Sequence, residues 1–228
     1  MAVSSADIGA AQALRGLCFR GGGLDEDQFD AVCDHVLVED VRSGALACCY
    51  RLLTLEASEI GTGYAGQVYD LSRLARQAGP MVELGRFCVD PVLHDPDVLR
   101  VAWGAMAAYV DARGATFLFG CASFAGVDVG VSSDALALLG ARYRAPEVWA
   151  PGEKAPEVFR LAACLGAADA AQGMRQMPAL MRTYLAMGGR VSDHAVIDRE
   201  MNTHHVFTGV EIAAIPEARK RALRAVAG

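Results

Sequence analysis

No surplus of positive charge marks this chain: 21 Lys and Arg stand against 27 Asp and Glu, a formal net charge of −6. That balance offers no basic field to attract a phosphate backbone, which excludes general nucleic-acid binding and leaves only local arginine clusters. A metal or disulfide pattern is also missing. The seven cysteines (18, 33, 48, 49, 88, 121 and 164) include no Cys-x-x-Cys pair and no histidine at zinc-ligand spacing. Their odd number and the adjacent Cys48–Cys49 fit reduced thiols in a cytosolic protein. The neighbouring His204 and His205 fall in a strand pattern, where successive side chains face opposite ways, so no metal site is expected there. The N-terminus lacks the basic start and apolar run of a secretory signal, and no apolar segment reaches the roughly 18–20 residues that cross a bilayer. Internal repeats and low-complexity tracts are absent. A cytoplasmic protein is expected.

What is present is a chain of 228 residues, 53% hydrophobic and 21% charged, enough to build a real core in one domain. Helical spacing predicts a helix over Ala6–Phe19, stopped by Gly21-Gly22-Gly23, and strands over Val36–Glu39 and Ala45–Leu55 form a hairpin around Ser43-Gly44. Ile60–Gly66 reads as a loop and Val68–Gln77 as a helix. The strand Met81–Val89 is followed by a buried helix, Pro96–Arg113, and another strand, Ala115–Phe124. Ser132–Gly140 is a short helix and Arg144–Pro156 a loop. Gly173–Met187 is helical, bent or begun near Pro178. Strands Arg190–Ile197 and His205–Ala213 precede a basic closing helix, Glu217–Ala227. A hairpin followed by a β-α-β unit argues for a mixed sheet in an α/β domain.

Within Met81–Val89 the apolar run holds a carboxylate and a guanidinium, Glu83 and Arg86, which a buried strand does not carry without reason. Strict alternation sends residues 83 and 86 to opposite faces. Gly85 between them tolerates a bulge that re-aims one side chain and parts the strand from its neighbour. A carboxylate at such a gap suits deprotonation of an amine; a solvated Glu–Arg pair is the bland alternative.

Several blocks then carry a family resemblance. Leu14-Arg15, Phe19, Asp27-Gln-Phe-Asp30, Asp34-His-Val-Leu-Val38, Tyr50-Arg-Leu-Leu53, Glu83-Leu-Gly-Arg86 with Cys88-Val-Asp-Pro91, and Phe119-Gly-Cys-Ala-Ser-Phe124 occur in this order. Together they resemble the ornithine–acyl-carrier-protein N-acyltransferases of ornithine-lipid synthesis, within the GNAT acyltransferase superfamily. The tail Met177–Gly188, Ala195-Val-Ile-Asp198 and Asn202-Thr203 is similar to that family's C-terminal part. Arg15, Phe19, Asp27, Asp30, Arg51, Glu83 and Arg86 also echo the acyl-homoserine-lactone synthases, which use the same donor. The resemblance implies one GNAT-like domain over residues 1–228, with 173–228 as a family-specific helix-strand extension. It implies transfer of a 3-hydroxyacyl chain from acyl carrier protein to the α-amine of L-ornithine. No cofactor is then held permanently, because phosphopantetheine arrives on the carrier. A synthase using another amine is the nearest rival, and a non-catalytic carrier- or lipid-binding module the rival of another class.

The residues add their own argument about the donor. Coenzyme A is usually held through its pyrophosphate by Gly-rich backbone N–H groups at a helix start. Here the corresponding run, Pro91-Val-Leu-His-Asp-Pro-Asp-Val-Leu-Arg100, has no glycine; Asp95 and Asp97 repel a pyrophosphate and Pro96 lacks an N–H. The run favours a carrier-borne thioester. An acidic carrier then needs local basic residues, and Arg142 and Arg144 are the candidates.

The chemistry asks for few groups. Glu83 is the candidate base, directly or through water. Backbone N–H groups at Phe87, Cys88 and Val89 are candidate donors to the thioester oxygen, with Ser123 as a secondary one. Arg86 or Arg51 suits the substrate carboxylate, and Asp30 or Asp34 its side-chain ammonium. An Arg51–Asp30 ion pair tying strand to helix is the structural alternative. A covalent route through Cys121 or Cys88 has no histidine at a telling distance, and direct attack on the thioester is expected. Met174, Met177, Met181 and Tyr184 share a helical face, which suits an acyl groove, peripheral contact with the inner membrane, or a plain core stripe.

Overall fold

The computed structural model describes residues 1–93, 95–164 and 169–227, so His94 in the run after the central strand lies outside the described residues. The elements follow as α1 (Ser5–Arg20), β1 (Asp34–Glu39), β2 (Leu46–Leu55), α2 (Ala65–Val68), β3 (Tyr69–Asp70), β4 (Met81–Val89), α3 (Pro96–Ala112), β5 (Phe117–Ala125) and α4 (Ser133–Arg142). They continue as β6 (Gly152–Glu153), β7 (Val158–Arg160), α5 (Ala170–Gln176), α6 (Ala179–Ala186), β8 (Arg190–Asp198), β9 (Thr203–Glu211) and α7 (Glu217–Ala227). This is the mixed α/β architecture expected. The chain forms two compact units: Met1–Thr54, Val82–Ala115 and Glu217 onward make the first, Leu55–Met81 and Thr116–Pro216 the second.

In the first unit the expected hairpin forms. β1 pairs antiparallel with β2, Val36 opposite Tyr50 and His35 opposite Arg51. Its turn is closed by Asp40, whose carboxylate accepts from Ser43 Oγ at 2.7 Å, while Gly44 takes φ +71°. Next to β2 lies β4. Ser4 caps α1 with a capping box through Asp7, and Gly21, at φ +72°, ends it. α3 begins with Asp95 as its cap, Oδ1 accepting the Asp97 N–H at 2.8 Å. Tyr50 Oη reaches the Ala102 carbonyl at 2.8 Å and its ring stacks on Phe87, fastening β2 to α3. The basic α7 is tied to α3 by Arg224, which donates to both carboxylate oxygens of Asp111 at 2.8 and 3.1 Å.

The second unit carries the strand order β5-β9-β8-β7, each pair antiparallel. β8 and β9 form a tight hairpin with Asn202 at φ +48°. One face is filled by Ala122, Phe124, Leu136, Leu139, Met177, Met181 and Val206. Met177, Met181 and Tyr184 are therefore core residues, and only Met174 of that predicted stripe is exposed. The predicted helix Gly173–Met187 is two helices, parted at Met177 and restarted with Pro178 as cap.

The helix expected over Val68–Gln77 does not form. α2 ends at Val68, and Tyr69–Asp70 pairs with β6 instead. Tyr69 is fully buried, with Oη donating to the His205 carbonyl at 2.9 Å, and Asp70 accepts the Ser72 N–H at 2.9 Å in a local turn. A buried tyrosine with a fixed partner and an Asx turn outweigh the helical propensity of the segment. Among the described residues no helix is long and apolar enough to cross a membrane.

Candidate active site

The first unit buries a lattice of alternating charges where α1, the turn after it, β2 and β4 meet. Arg15 comes from α1 and is completely buried. Its Nε donates to Asp25 at 3.1 Å, its second terminal nitrogen to the Asp25 carbonyl, and its fork grips Asp30 at 2.7 and 2.9 Å. Arg51 from β2 donates to Asp27 at 2.5 and 2.9 Å and to Asp30 at 2.8 Å. Arg86 from β4 donates to Asp25 at 2.8 Å and to Asp27 at 3.3 Å. Three guanidinium groups thus share three carboxylates, and Arg20 adds an outer contact to Asp25 at 2.8 Å. Asp25 and Asp27 are each held below the ordinary carboxylate value: burial raises them, but the surrounding guanidinium groups outweigh it. Asp30 is lowered well below the usual range against the same opposition, chiefly by Arg15.

Local sequence explains how Asp25 gets there. A Cβ at Gly16 would run into the Gly23 carbonyl, so the turn folds directly against α1. Gly22 N–H closes on the Gly16 carbonyl at 2.9 Å, and the returning chain delivers Asp25 to Arg15. Asp27 caps the short 3₁₀ helix Gln28–Ala31, whose third residue, Asp30, reaches back to the Asp27 N–H.

The irregularity expected at Gly85 lies one residue on. Arg86 has φ +51°, a conformation rare for a long side chain and costing of order 1–3 kcal/mol. It breaks the alternation of β4 and lets Arg86 share Asp27 with Arg51. Gly85 itself faces Arg51 of the neighbouring strand. A Cβ there would lie 4.0 Å from Arg51 Nε, in ordinary contact with that guanidinium. Glu83 is buried in the same strand, 4% exposed. The thiol of Cys33 feels Arg51, Glu83, Asp27 and Asp30 together, while burial, the dominant influence, pushes it up to about 11. Glu83 therefore belongs to the same electrostatic neighbourhood.

Of the candidates from sequence, Arg51, Asp30 and Arg86 are brought together, and Glu83 is buried in the strand that carries Arg86. The Arg51–Asp30 ion pair, the structural alternative, is formed. Asp34 is not among the lattice carboxylates; it accepts from Tyr109 Oη at 2.7 Å and from Arg113 at 2.9 Å. Phe87 stacks between Tyr50 and Trp103 at ring separations of 5.2 and 6.4 Å. Cys88 is buried with its Sγ 3.4 Å from that of Cys49. In the second unit Ser123 is exposed on β5, opposite His205. Arg142 and Arg144 are exposed there too, and Arg144 lines a cleft of about 300 Å³ whose other charged walls are Glu153, Arg160 and Asp193. The rings of His204 and His205 part as alternation demands: His204 Nδ1 meets the Gly126 carbonyl at 2.8 Å and His205 Nδ1 meets Tyr69 Oη at 3.2 Å. Asp25 was missed from sequence. Its signal was a triglycine turn ending in an acid, next to a helix with an arginine on its apolar face.

Residues 15–104, which contain nearly all of this site, match the Acetyltransferase (GNAT) domain. The solved structure of TofI in an apo form shares the fold, with a TM-score of 0.50 over 99% of this chain and 94% of that one at 15% identity. The L-ornithine N(alpha)-acyltransferase of Rhodobacter capsulatus is 34% identical over 203 residues, covering 86% of this chain and 78% of that protein. The enzyme of the same name from Brucella abortus is 31% identical, covering 84% of this chain and 71% of its own length. With a lattice-bearing GNAT domain and relatives matched over most of their length, the chain belongs to the family of L-ornithine N(alpha)-acyltransferases.

Proposed function

We propose that this protein acylates the α-amine of L-ornithine, taking a 3-hydroxyacyl chain from acyl carrier protein and releasing a lyso-ornithine lipid. The observation that carries this reading is the 34% identity to an enzyme of that name over 86% of the chain. In the reaction Glu83 takes the proton of the substrate ammonium, freeing the amine to attack the thioester carbon. Within Phe87, Cys88 and Val89, which follow the left-handed residue in β4, the N–H groups on one edge of the strand donate to the oxygen as charge develops on it. Arg15 and Arg51 are 0% and 3% exposed and serve the lattice, whereas Arg86, at 10%, is the guanidinium assigned to the substrate carboxylate. By the same measure Asp27, 20% exposed against 11% for Asp30, is the better partner for the side-chain ammonium.

The start of α3 supports a carrier-borne donor. Asp95 already occupies the Asp97 N–H, and Asp97 pairs with Arg100 at 2.9 Å, so the first turn presents carboxylates rather than free donors. The product is a single-chain lipid, and peripheral contact with the cytoplasmic face of the inner membrane follows from that chemistry rather than from any spanning segment.

The test offers the purified protein a panel of amino acids with matched acyl-carrier and acyl-coenzyme A donors and identifies products by mass spectrometry. Nα-acylornithine should dominate, formed much faster from the carrier. Faster acylation of another amine overturns the acceptor assignment, and comparable catalytic efficiency with both donors overturns the donor assignment.

A further inference from the structure

We propose that Cys18, Cys49 and Cys88 form a peroxide-reactive thiol cluster that closes as a disulfide between Cys18 and Cys88. Three of the seven cysteines gather on one side of the first unit, although they are far apart in the chain. Cys49 Sγ lies 3.4 Å from Cys88 Sγ, and Cys18, Phe19 and Leu46 pack on the cluster that these two form with Ala11 and Leu14. Cys18 Sγ also reaches the carbonyl of Val89, the residue after Cys88, at 3.5 Å. All three thiols are free.

Their exposure is unequal. Cys49 and Cys88 are 1% and 5% exposed, while Cys18, on the outer part of α1, is only half-buried. A small oxidant therefore reaches Cys18 first. The electrostatics agree with the geometry. Hydrogen bonding with Cys88 is the largest influence on Cys18 and holds its thiol below the ordinary value, against partial burial and the Asp90 carboxylate. The same contact pushes Cys88 up, so Cys18 rather than Cys88 is the first to react. Cys33, Cys48 and Cys164 are all pushed up, with burial first among the causes, so none of them is favoured as the first thiol to meet the oxidant.

The chemistry balances with a hydroperoxide as the oxidant. The Cys18 thiolate attacks one peroxide oxygen; an S–O bond forms, the O–O bond breaks and hydroxide leaves. The Cys88 sulfur then attacks the sulfenic sulfur; an S–S bond forms, the S–OH bond breaks and water departs. Two thiols lose two electrons and two protons, and hydrogen peroxide ends as two waters. The cross-link ties α1 to β4. The sulfur atoms need no part in acyl transfer, so this inference stands apart from the proposed reaction.

The experiment treats the full chain with limiting hydrogen peroxide, blocks remaining thiols by alkylation and maps the peptides by mass spectrometry. A peptide pair joined through Cys18 and Cys88, lighter by two hydrogens, should appear at least about tenfold faster than oxidation at Cys33 or Cys164. It should vanish on reduction with dithiothreitol. Cys18→Ser should abolish it, and Cys88→Ala should leave Cys18 as a sulfenic acid captured by dimedone. The wild-type map decides the matter even if a variant folds poorly. Oxidation spread evenly over the seven thiols, or a cross-link that excludes Cys18, overturns the proposal.

Discussion

Arg51→Met separates a guanidinium that holds the protein together from one that holds substrate. The replacement keeps length and apolar stem but removes hydrogen bonds to Asp27 at 2.5 and 2.9 Å and to Asp30 at 2.8 Å. Breaking a buried pair by deleting one partner costs about 3–5 kcal/mol, because the other charge stays behind uncompensated. Asp27 is 20% exposed and Asp30 keeps Arg15, so water and the remaining lattice soften the loss. About 3 kcal/mol is expected, roughly two orders of magnitude in the folding equilibrium and a large share of a typical domain's stability. Urea unfolding followed by far-UV circular dichroism reads this as a shift of the midpoint. Adding Asp27→Asn removes a carboxylate whose remaining guanidinium contact is Arg86 at 3.3 Å and should restore about 1–2 kcal/mol, within the usual range of coupling between neighbours. The acid limb supplies an internal control. Asp27 and Asp30 have lowered folded values, so their contribution is present above the ordinary carboxylate pKa and is lost as pH falls through the folded values. The gap between wild type and Arg51→Met should therefore narrow below about pH 4. An Arg51→Met protein with an unchanged urea midpoint and a raised KM for ornithine would refute the reasoning and return Arg51 to the substrate.

Glu83→Gln keeps size but loses basicity, so turnover should fall by about two to four orders of magnitude and recover in part at higher pH, where more amine arrives deprotonated. A folded Glu83→Gln protein with a near-normal rate at neutral pH removes Glu83 from the mechanism. His205 is pushed down to about 4, burial being the main cause, so the unfolded chain binds the extra proton between there and the ordinary value near 6.5. Stability should thus fall by about 1.5 kcal/mol between pH 6.5 and 5, and His205→Phe should flatten that slope in urea titrations; an unchanged slope assigns it elsewhere.

Much of the fold was legible because its signals are local. The hairpin at Ser43-Gly44, the stop at Gly21, the Asp95 cap and the break at Pro178 are each written in a few adjacent residues. The segment Val68–Gln77 was misread because its conformation is decided by Tyr69 Oη and a carbonyl 136 positions away, which no local pattern reports. The site was legible in parts. A carboxylate and a guanidinium in an apolar strand announced Glu83 and Arg86, but the irregularity expected at Gly85 falls on Arg86 itself. That the left-handed residue is Arg86 rather than Gly85 follows from the pull of Asp25 and Asp27 on its side chain, contacts 61 and 59 positions distant. Asp34 looks equivalent to Asp30 when only residue type is compared. Asp30 lies in the short 3₁₀ helix within reach of Arg15 and Arg51, whereas Asp34 opens β1 within reach of Tyr109 and Arg113.

The lattice also carries a timetable for assembly. Asp25 meets Arg20 across 5 positions and Arg15 across 10, so these pairs close loops that small chains form within about 10–100 ns. Arg86 reaches the same carboxylate only across 61 positions, after β4 has found its place. Closure over a short loop is entropically cheaper, so the helix, its glycine turn and Asp25 form a nucleus that is already paired when the strand arrives. The incoming Arg86 then meets a fixed anion rather than a wandering one. Slowing of folding by Gly16→Ala should exceed that by Arg86→Met, because only the former disturbs the early loop.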